Sequence, residues 1–328
     1  MKAAVRTSYG PPEMVRVVEV DKPAPRDGEV LVRVHATTVN RTDCGVRAAK
    51  PFFYRLFIGL TRPRVTVIGT EFAGEVEAVG AGVTAFEVGD RVFGFEGTRF
   101  GAHAEYLAMP ETGLLATIPA DLSYEEAAPC TEGVQYALTG IRAAKVRRGQ
   151  DVLVNGATGA IGSAAVQLLK HLGANVTAVC ATEHLELVER LGADRVVDYT
   201  TEDFTRDEQT YDVVLDAVGK SSFGRCWRLL RPRGIYLSTD LGPLSQNPFL
   251  ALLKPLFGRR KVMFPIPRRA DRELAGDLRE LVETGAFRPL VDRRYPLDQI
   301  VEAYRYVETG RKVGNVVVTV RPAPPLQV

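Results

Sequence analysis

A chain of 328 residues is longer than one hydrophobic core usually serves, so two domains are expected. Hydrophobic residues make up 45% and charged residues 25%, an ordinary globular balance, and a net charge of +2 argues against nucleic acid as the main partner. No run of about 18 apolar residues is available to span a membrane, MKAAVRTSYGPPEMV has no signal-peptide core, and Cys44, Cys130, Cys180 and Cys226 are too scattered for a CxxC motif or a disulfide framework. A cytoplasmic enzyme is the expectation.

Residues 1 to about 122 are rich in short strands. GEVLVRVHATTVN (28–40) alternates Val30, Val32 and Val34 with Leu31, Arg33 and His35. VIGTEFAGEVEAVGAGV (67–83) and VGDRVFGF (88–95) are cut by glycines, and such a series predicts a partly closed β-barrel. The aromatic and basic KPFFYRLFIGLTRPR (50–64) interrupts it and reads equally as a lid or an extended core loop. From Leu122 the pattern changes. Ser123 and Glu126 form a capping-box pair at the start of a helix, SYEEAAPCTEGVQYALTGIRAAKV.

DVLVNGATGAIGSAAVQLLKHL (151–172) reads as a buried strand, a glycine turn and a helix, with Ile161, Ala164, Ala165, Leu168 and Leu172 on the helical period and Gly173 ending it. Strands at Asn175–Cys180, Arg195–Asp198, Asp212–Asp216 and Ile235–Ser238 alternate with helices at Glu183–Leu191 and Ser221–Leu230. That order means a parallel sheet with right-handed crossovers. RRKVMFPIP (259–267) reads as a late edge strand, ELAGDLRELVETGAF as a helix ended by Gly285, GRKVGNVVVTV as a final strand and RPAPPLQV as a disordered tail. The predicted organisation is a nucleotide-binding domain, 123–268, inserted into a β-rich substrate domain, 1–122 plus 269–328, with a ligand cleft between them.

Gly156, Gly159 and Gly162 carry the chemistry of the second domain. Small residues there let backbone N–H groups approach a pyrophosphate at a helix N-terminus, where the helix dipole favours an anion. The preceding strand and following strand–helix units supply the context such a turn needs. Other chemistries lack their residues. None of the eleven tyrosines has Lys four positions on, Gly162 is followed directly by Ser163 with no P-loop Lys between them, and there is no G-x-S-x-G or H-E-x-x-H. Hydride transfer is what remains.

KAAV (2–5), GEVLVRVHATTVNRTD (28–43), GTEFAGEVEAVG (69–80), VGDRVFGF (88–95), VLVNGATGAIGSAAVQLLKHLGA (152–174), LGADRVVDYT (191–200) and GRKVGNVVV (310–318) together resemble the medium-chain dehydrogenase/reductase superfamily. More closely they resemble its zinc-free, quinone oxidoreductase-like branch, the one that includes zeta-crystallin. The resemblance implies an α/β architecture, a Rossmann domain inserted in a GroES-like barrel. It also implies a homodimer that pairs sheets through an edge strand at Lys261-Val262-Met263-Phe264. Zinc-dependent members hold their metal with Cys, His and Cys. This chain has Asn40 and Thr70 at the first two positions, and only Cys130 lies near the third. A lone thiolate cannot build a site that needs three protein ligands, and the structural-zinc loop is missing, so no zinc is expected. Cys44, next to the motif, is expected to point away from the site, on a strand or turn.

The cofactor positions taken from the resemblance are Gly156, Ala157, Thr158, Gly159, Ala160, Ile161 and Gly162 in the turn, Cys180, Thr182, His184 and Tyr199 toward the adenosine end, and Val218 and Asn315. An acidic residue ending the second strand usually marks NAD; here Val179 to Thr182 are neutral and small. Related quinone reductases hold the 2′-phosphate with a Lys and a downstream Tyr. Tyr199 matches the Tyr, and His184 stands where the Lys would. NADPH is therefore expected, with NADH the alternative. His35, His103 and His171 are expected to be structural.

Without a metal, the site suits acceptors already activated by conjugation, quinones or α,β-unsaturated carbonyls. It then needs donors aimed at the developing oxyanion and a dry pocket. Asn40 stands where the resemblance places a cleft Asn. Tyr54 donates a proton or packs, Asp43 orients its neighbours, and Glu132 is a bare candidate with no motif. Residues 50–64 and 240–260 are expected to line the pocket. The expected function is reduction of a small conjugated carbonyl or quinone, with no nucleic acid or membrane partner. A metal-free alcohol or carbonyl oxidoreductase and an NADPH-binding protein of low turnover are the alternatives.

Overall fold

A computed structural model describes residues 1–242, 245–252, 259–267 and 270–321. It divides into two compact units: 1–132 with 269–284 and 289–328, and 133–268 with 285–288.

In the first unit the longest strand, Glu29–Val39, organises a seven-stranded sheet. Glu71–Val79 pairs along one edge of it, while Tyr106–Pro110 and Asn315–Thr319 share the other. The sheet continues through Arg91–Phe95 to Leu114–Thr117 on one side. On the other side, Val291–Pro296 adds a parallel pairing to Asn315–Thr319. The predicted in–out alternation of residues 28–40 is not seen in the burial. Nearly every side chain of that strand is buried, because both faces are covered. Val30, Val32 and Val34 pack with Phe72, Val76, Val92 and Leu115. On the opposite face the His35 ring stacks on Tyr124, centroids 4.3 Å apart. A second core joins Val39, Cys44 and Val46 to Ile300, Ala303, Tyr304 and Val307.

Three local expectations change. The helix predicted from Ser123 is capped as expected, but it stops after Tyr124–Ala127, and a separate helix runs Glu132–Ala144. Pro129 lacks an N–H to continue the first helix, and the Glu132 N–H is turned instead to the Glu71 carboxylate, 2.6 Å away. Cys44 lies on a helix, Arg41–Ala48, rather than a strand or turn, and packs in the second core; burial pushes its thiol up to about 12. Within 50–64, Tyr54–Ile58 forms one helical turn. Ile58 is buried and Tyr54 packs on the core, but Phe52, Leu56, Phe57 and Leu60 are exposed.

The second unit contains a six-stranded sheet, all parallel: Arg195–Asp198, Asn175–Cys180, Asp151–Asn155, Tyr211–Asp216, Leu230–Ser238 and Lys261–Met263. Numbered along the chain from Asp151, that is the 3-2-1-4-5-6 order of a dinucleotide-binding sheet. The strand read at 259–267 contracts to Lys261–Met263, at the sheet edge. The tail predicted to be disordered, beyond Arg321, and parts of the 240–260 stretch lie outside the described residues.

Candidate active site

The nucleotide half begins where the Asp151–Asn155 strand ends. Gly156 turns with φ +81°, a left-handed conformation that suits glycine. Gly159 caps the Ala160–His171 helix with no side chain over its end. First-turn N–H groups have no acceptor within a helix, so those of Ala160, Ile161 and Gly162 are left for a ligand. No acid occupies that first turn, and Lys170 and His171 sit in the last. Both arrangements suit the dipole. A Cβ on Gly162 would fall 2.0 Å from the Gly156 carbonyl oxygen, so helix and turn touch backbone to backbone. A dinucleotide pyrophosphate fits this uncapped, close-packed terminus.

Asp216, which no sequence signal marked, holds the neighbouring loop. Its carboxylate accepts from Asn155 Nδ2 (3.0 Å), Tyr236 Oη (2.9 Å) and the backbone N–H groups of Val218, Gly219 and Ser221. That brings Val218 over Gly156, where an added Cβ would meet it at 2.7 Å. Ala157 is buried in the turn. Cys180 is buried too, its thiol pushed up to about 11 by desolvation, and only its carbonyl reaches outward, to the Tyr199 N–H. Tyr199 is exposed, and His184 pairs with Glu183 at 3.2 Å.

The neutral end of the second strand proves neutral only in sequence. Parallel pairing sets Asp198 opposite Cys180, and the Asp198 carboxylate accepts from Thr182 Oγ1 at 2.5 Å and Thr200 Oγ1 at 2.7 Å. These hydrogen bonds hold it below the usual carboxylate range. Asn315, in the other unit, donates its side-chain amide to the Leu290 carbonyl at 3.0 Å.

The chemistry of the first unit gathers around Asn40. Its Oδ1 accepts the Asp43 N–H at 2.8 Å, and Asp43 Oδ2 accepts the Asn40 N–H at 3.1 Å, a reciprocal cap on the Arg41–Ala48 helix. The Asn40 amide then donates to Thr70 Oγ1 at 2.9 Å and to Glu132. Both its hydrogens are committed within the chain, so the expected oxyanion donor is instead a holder of Glu132.

Glu132, a bare candidate in the sequence, sits at the centre of this network. Its Oε1 meets the Thr42 hydroxyl, and its Oε2 accepts from Asn40 and, at 3.3 Å, from Thr70. A second carboxylate, Glu71, lies directly behind. It accepts from Thr38 Oγ1 (2.6 Å), Thr131 Oγ1 (2.8 Å) and the Glu132 N–H. Burial and the Glu71 charge push Glu132 up to about 8, against the pull of Thr42, Thr70 and Lys312. Burial lowers Lys312, with Glu71 and Glu132 opposing. Asp43 is raised well above its ordinary range by burial and by Glu132. Tyr54 is raised by burial and the same two acids, so its hydroxyl stays protonated.

His103 is structural. Its Nε2 lies 2.7 Å from the Thr38 carbonyl, which can only accept, so Nε2 carries the proton and Nδ1 accepts from Tyr304 at 3.3 Å. Burial pushes it down to about 4, and Asp43 at 3.8 Å faces a neutral ring. Gly69, at φ +98°, makes room for it: a Cβ there would lie 2.4 Å from the imidazole.

Zinc does not fit this donor set. An amide whose hydrogens face a carboxylate, and a hydroxyl, stand at two ligand positions, and Cys130 donates its thiol to the Glu126 carbonyl. Among the described residues no group of three or more His, Cys, Asp or Glu converges as a metal site.

Fold and site together define a two-domain dehydrogenase with a GroES-like domain and a Rossmann-type sheet. Residues 26–120 match the alcohol dehydrogenase GroES-like domain, and 191–318 match the family described as zinc-binding dehydrogenase. The 2-methylene-furan-3-one reductase of Solanum lycopersicum is 32% identical over 97% of this chain and 79% of its own. The NADPH-dependent alkenal/one oxidoreductase of Arabidopsis thaliana is 30% identical over the same shares. The solved quinone oxidoreductase of Coxiella burnetii superposes with a TM-score of 0.86 at 26% identity, covering 98% of this chain and 99% of its own. The chain belongs to the medium-chain dehydrogenase/reductase superfamily, in its quinone oxidoreductase-like branch.

Proposed function

We propose that this protein is a zinc-independent, NADPH-dependent reductase of quinones or α,β-unsaturated carbonyls, acting as a cytoplasmic homodimer. One observation carries the reading. The positions that hold catalytic zinc in related dehydrogenases are Asn40 and Thr70, and both are turned onto the Glu132 carboxyl. Such a site offers hydrogen-bond donors and a proton rather than a Lewis acid, which suits an acceptor already polarised by conjugation. The names of the relatives from Solanum lycopersicum and Arabidopsis thaliana point to the same substrate class.

NADPH, when bound, supplies the hydride. The N–H groups of Ala160, Ile161 and Gly162 hold its pyrophosphate, and Thr182, His184 and Tyr199 border its adenosine phosphate. The half-buried Tyr54, neutral over the working range, and the Thr42 hydroxyl supply hydrogen bonds to the oxygen on which charge develops. Pairing through the open edge of Lys261–Met263 supports the dimer.

The test is a panel of enones, quinones and aldehydes followed by NADPH absorbance, with elemental analysis of the same preparation. Turnover of a conjugated acceptor is expected, with far less than one zinc per chain. Stoichiometric zinc, lost together with activity on chelation, refutes the reading.

A further inference from the structure

We propose that Glu132 stores the proton consumed by the reduction and delivers it through the Thr42 hydroxyl, an assignment that rests on the reductase reading above. Three observations converge on it.

The first is a charge count. Glu71, from the Glu71–Val79 strand, is fully buried and accepts three hydrogen bonds, one of them from the Glu132 N–H itself. Lys312, ahead of the last strand, is the cation acting on both Glu71 and Glu132, and it offsets one negative charge. The remaining acids around the cluster are Glu132, shifted upward by burial and Glu71, Asp43 from the Arg41–Ala48 helix, shifted upward by burial, Glu132 and Glu71, and Asp292, which shares Lys312. Tyr54, on its short helix, adds only a neutral phenol, and Arg41 acts on Lys312. Enclosed among these carboxyls, with the cation Lys312 shared between them, Glu132 retains its proton at neutral pH.

The second observation places that proton. Glu132 Oε2 faces the Asn40 amide nitrogen, which can only donate, and receives the Thr70 hydroxyl as well. Oε2 is therefore the carbonyl oxygen of the acid. Oε1 faces the Thr42 hydroxyl, which can donate or accept. The acid hydrogen sits on Oε1 and is donated to Thr42 Oγ1, which turns the Thr42 O–H outward.

The third observation is access. Glu132 is 8% exposed, whereas Thr42 is half-buried, so the hydroxyl connects the enclosed acid with the surface.

The step balances. Hydride from NADPH forms a C–H bond at the conjugated carbon of the acceptor, and the displaced electron pair moves to the acceptor oxygen. Thr42 gives its proton to that oxygen while taking the Oε1 proton from Glu132. The products are the enol or hydroquinone-type oxygen, NADP⁺ and a Glu132 carboxylate, which water reprotonates.

The experiment combines infrared spectroscopy with kinetics. The carboxylic C=O stretch of the wild-type protein, free of nucleotide, is compared with that of Glu132→Gln, whose amide mimics the protonated acid in shape. A band present at pH 7, lost near pH 8 and missing from the variant is expected. With the best acceptor from the panel, Glu132→Gln and Thr42→Val each lower kcat roughly 100-fold or more, with NADPH Kd within about threefold, and Thr42→Ser restores most of the rate. Wild-type kcat falls as pH rises through about 8, and that limb disappears in Glu132→Gln. If Glu132→Gln fails to fold, the Thr42 pair decides. No band at pH 7 overturns the proposal. So does a wild-type pH profile in Glu132→Gln, or full activity in Thr42→Val. A wild type that shows the band but reduces nothing in the panel refutes the functional reading, and proton delivery with it.

Discussion

Gly162→Ala tests the nucleotide half directly. The added Cβ would stand 2.0 Å from the Gly156 oxygen, 2.8 Å from its carbonyl carbon and 3.0 Å from the Ala157 Cα. All three are backbone atoms, so no side chain can swing aside. Real contacts of this kind do not fall below 3.0 Å, so helix and turn must part by about 1 Å. The turn is pinned, because the N–H groups of Gly156 and Ala157 both donate to the Val179 carbonyl at 3.2 and 3.1 Å. The helix start moves instead, and its N–H groups move with it. A hydrogen bond to a charged group contributes about 1.5–3 kcal/mol, so losing one phosphate contact weakens NADPH roughly 10- to 150-fold. Titration by NADPH fluorescence measures this, with circular dichroism confirming the fold. Gly276→Ala is the control: it lies in the Arg272–Glu283 helix with nothing within 4 Å of an added Cβ, and only a small gain in helix propensity is expected. A Kd for Gly162→Ala within threefold of wild type, with a native spectrum, refutes the reasoning.

Three further outcomes are expected. Tyr54→Phe keeps a ring that packs on the core but removes the hydroxyl, so turnover should drop about 100- to 1000-fold; a change below about threefold in steady-state kinetics assigns Tyr54 to packing. His103 is neutral in the fold down to about 4, against 6.5 for a free imidazole. The unfolded chain therefore takes up the proton first, and stability present above pH 6.5 is lost as pH falls toward 4, by about 3 kcal/mol. Urea midpoints across that interval should fall less steeply in His103→Asn, and equal slopes would remove the argument. Asp198→Asn removes a negative charge held beside Thr182, so NADPH should gain on NADH by about fivefold; paired titrations showing no change would place the 2′-phosphate elsewhere.

How much could be read before folding follows from how far each interaction reaches along the chain. The strand, glycine turn and helix of 151–172 were legible because periodicity, a left-handed glycine and a helix start are properties of neighbouring residues. The strand–helix alternation after it specified a parallel sheet for the same reason. The missing zinc ligands were legible as letters at Asn40 and Thr70. What replaces them was not. Glu132 bonds to Asn40 across 92 residues and to Thr70 across 62, and Glu71 reaches Thr131 across 60. Nothing near Glu132 in sequence distinguishes it from a solvated acid opening a helix. Burial and the neighbouring Glu71 carboxyl push it upward, against the pull of one lysine, and those surroundings exist only once the sheet has closed. Asp198 shows the same limit: the second strand ends in neutral residues, and a carboxylate arrives there by parallel pairing with the third. Short-range order was written in the amino acids themselves. The electrostatics of the site belong to the tertiary structure, because a charge takes its pKa from whatever packs around it.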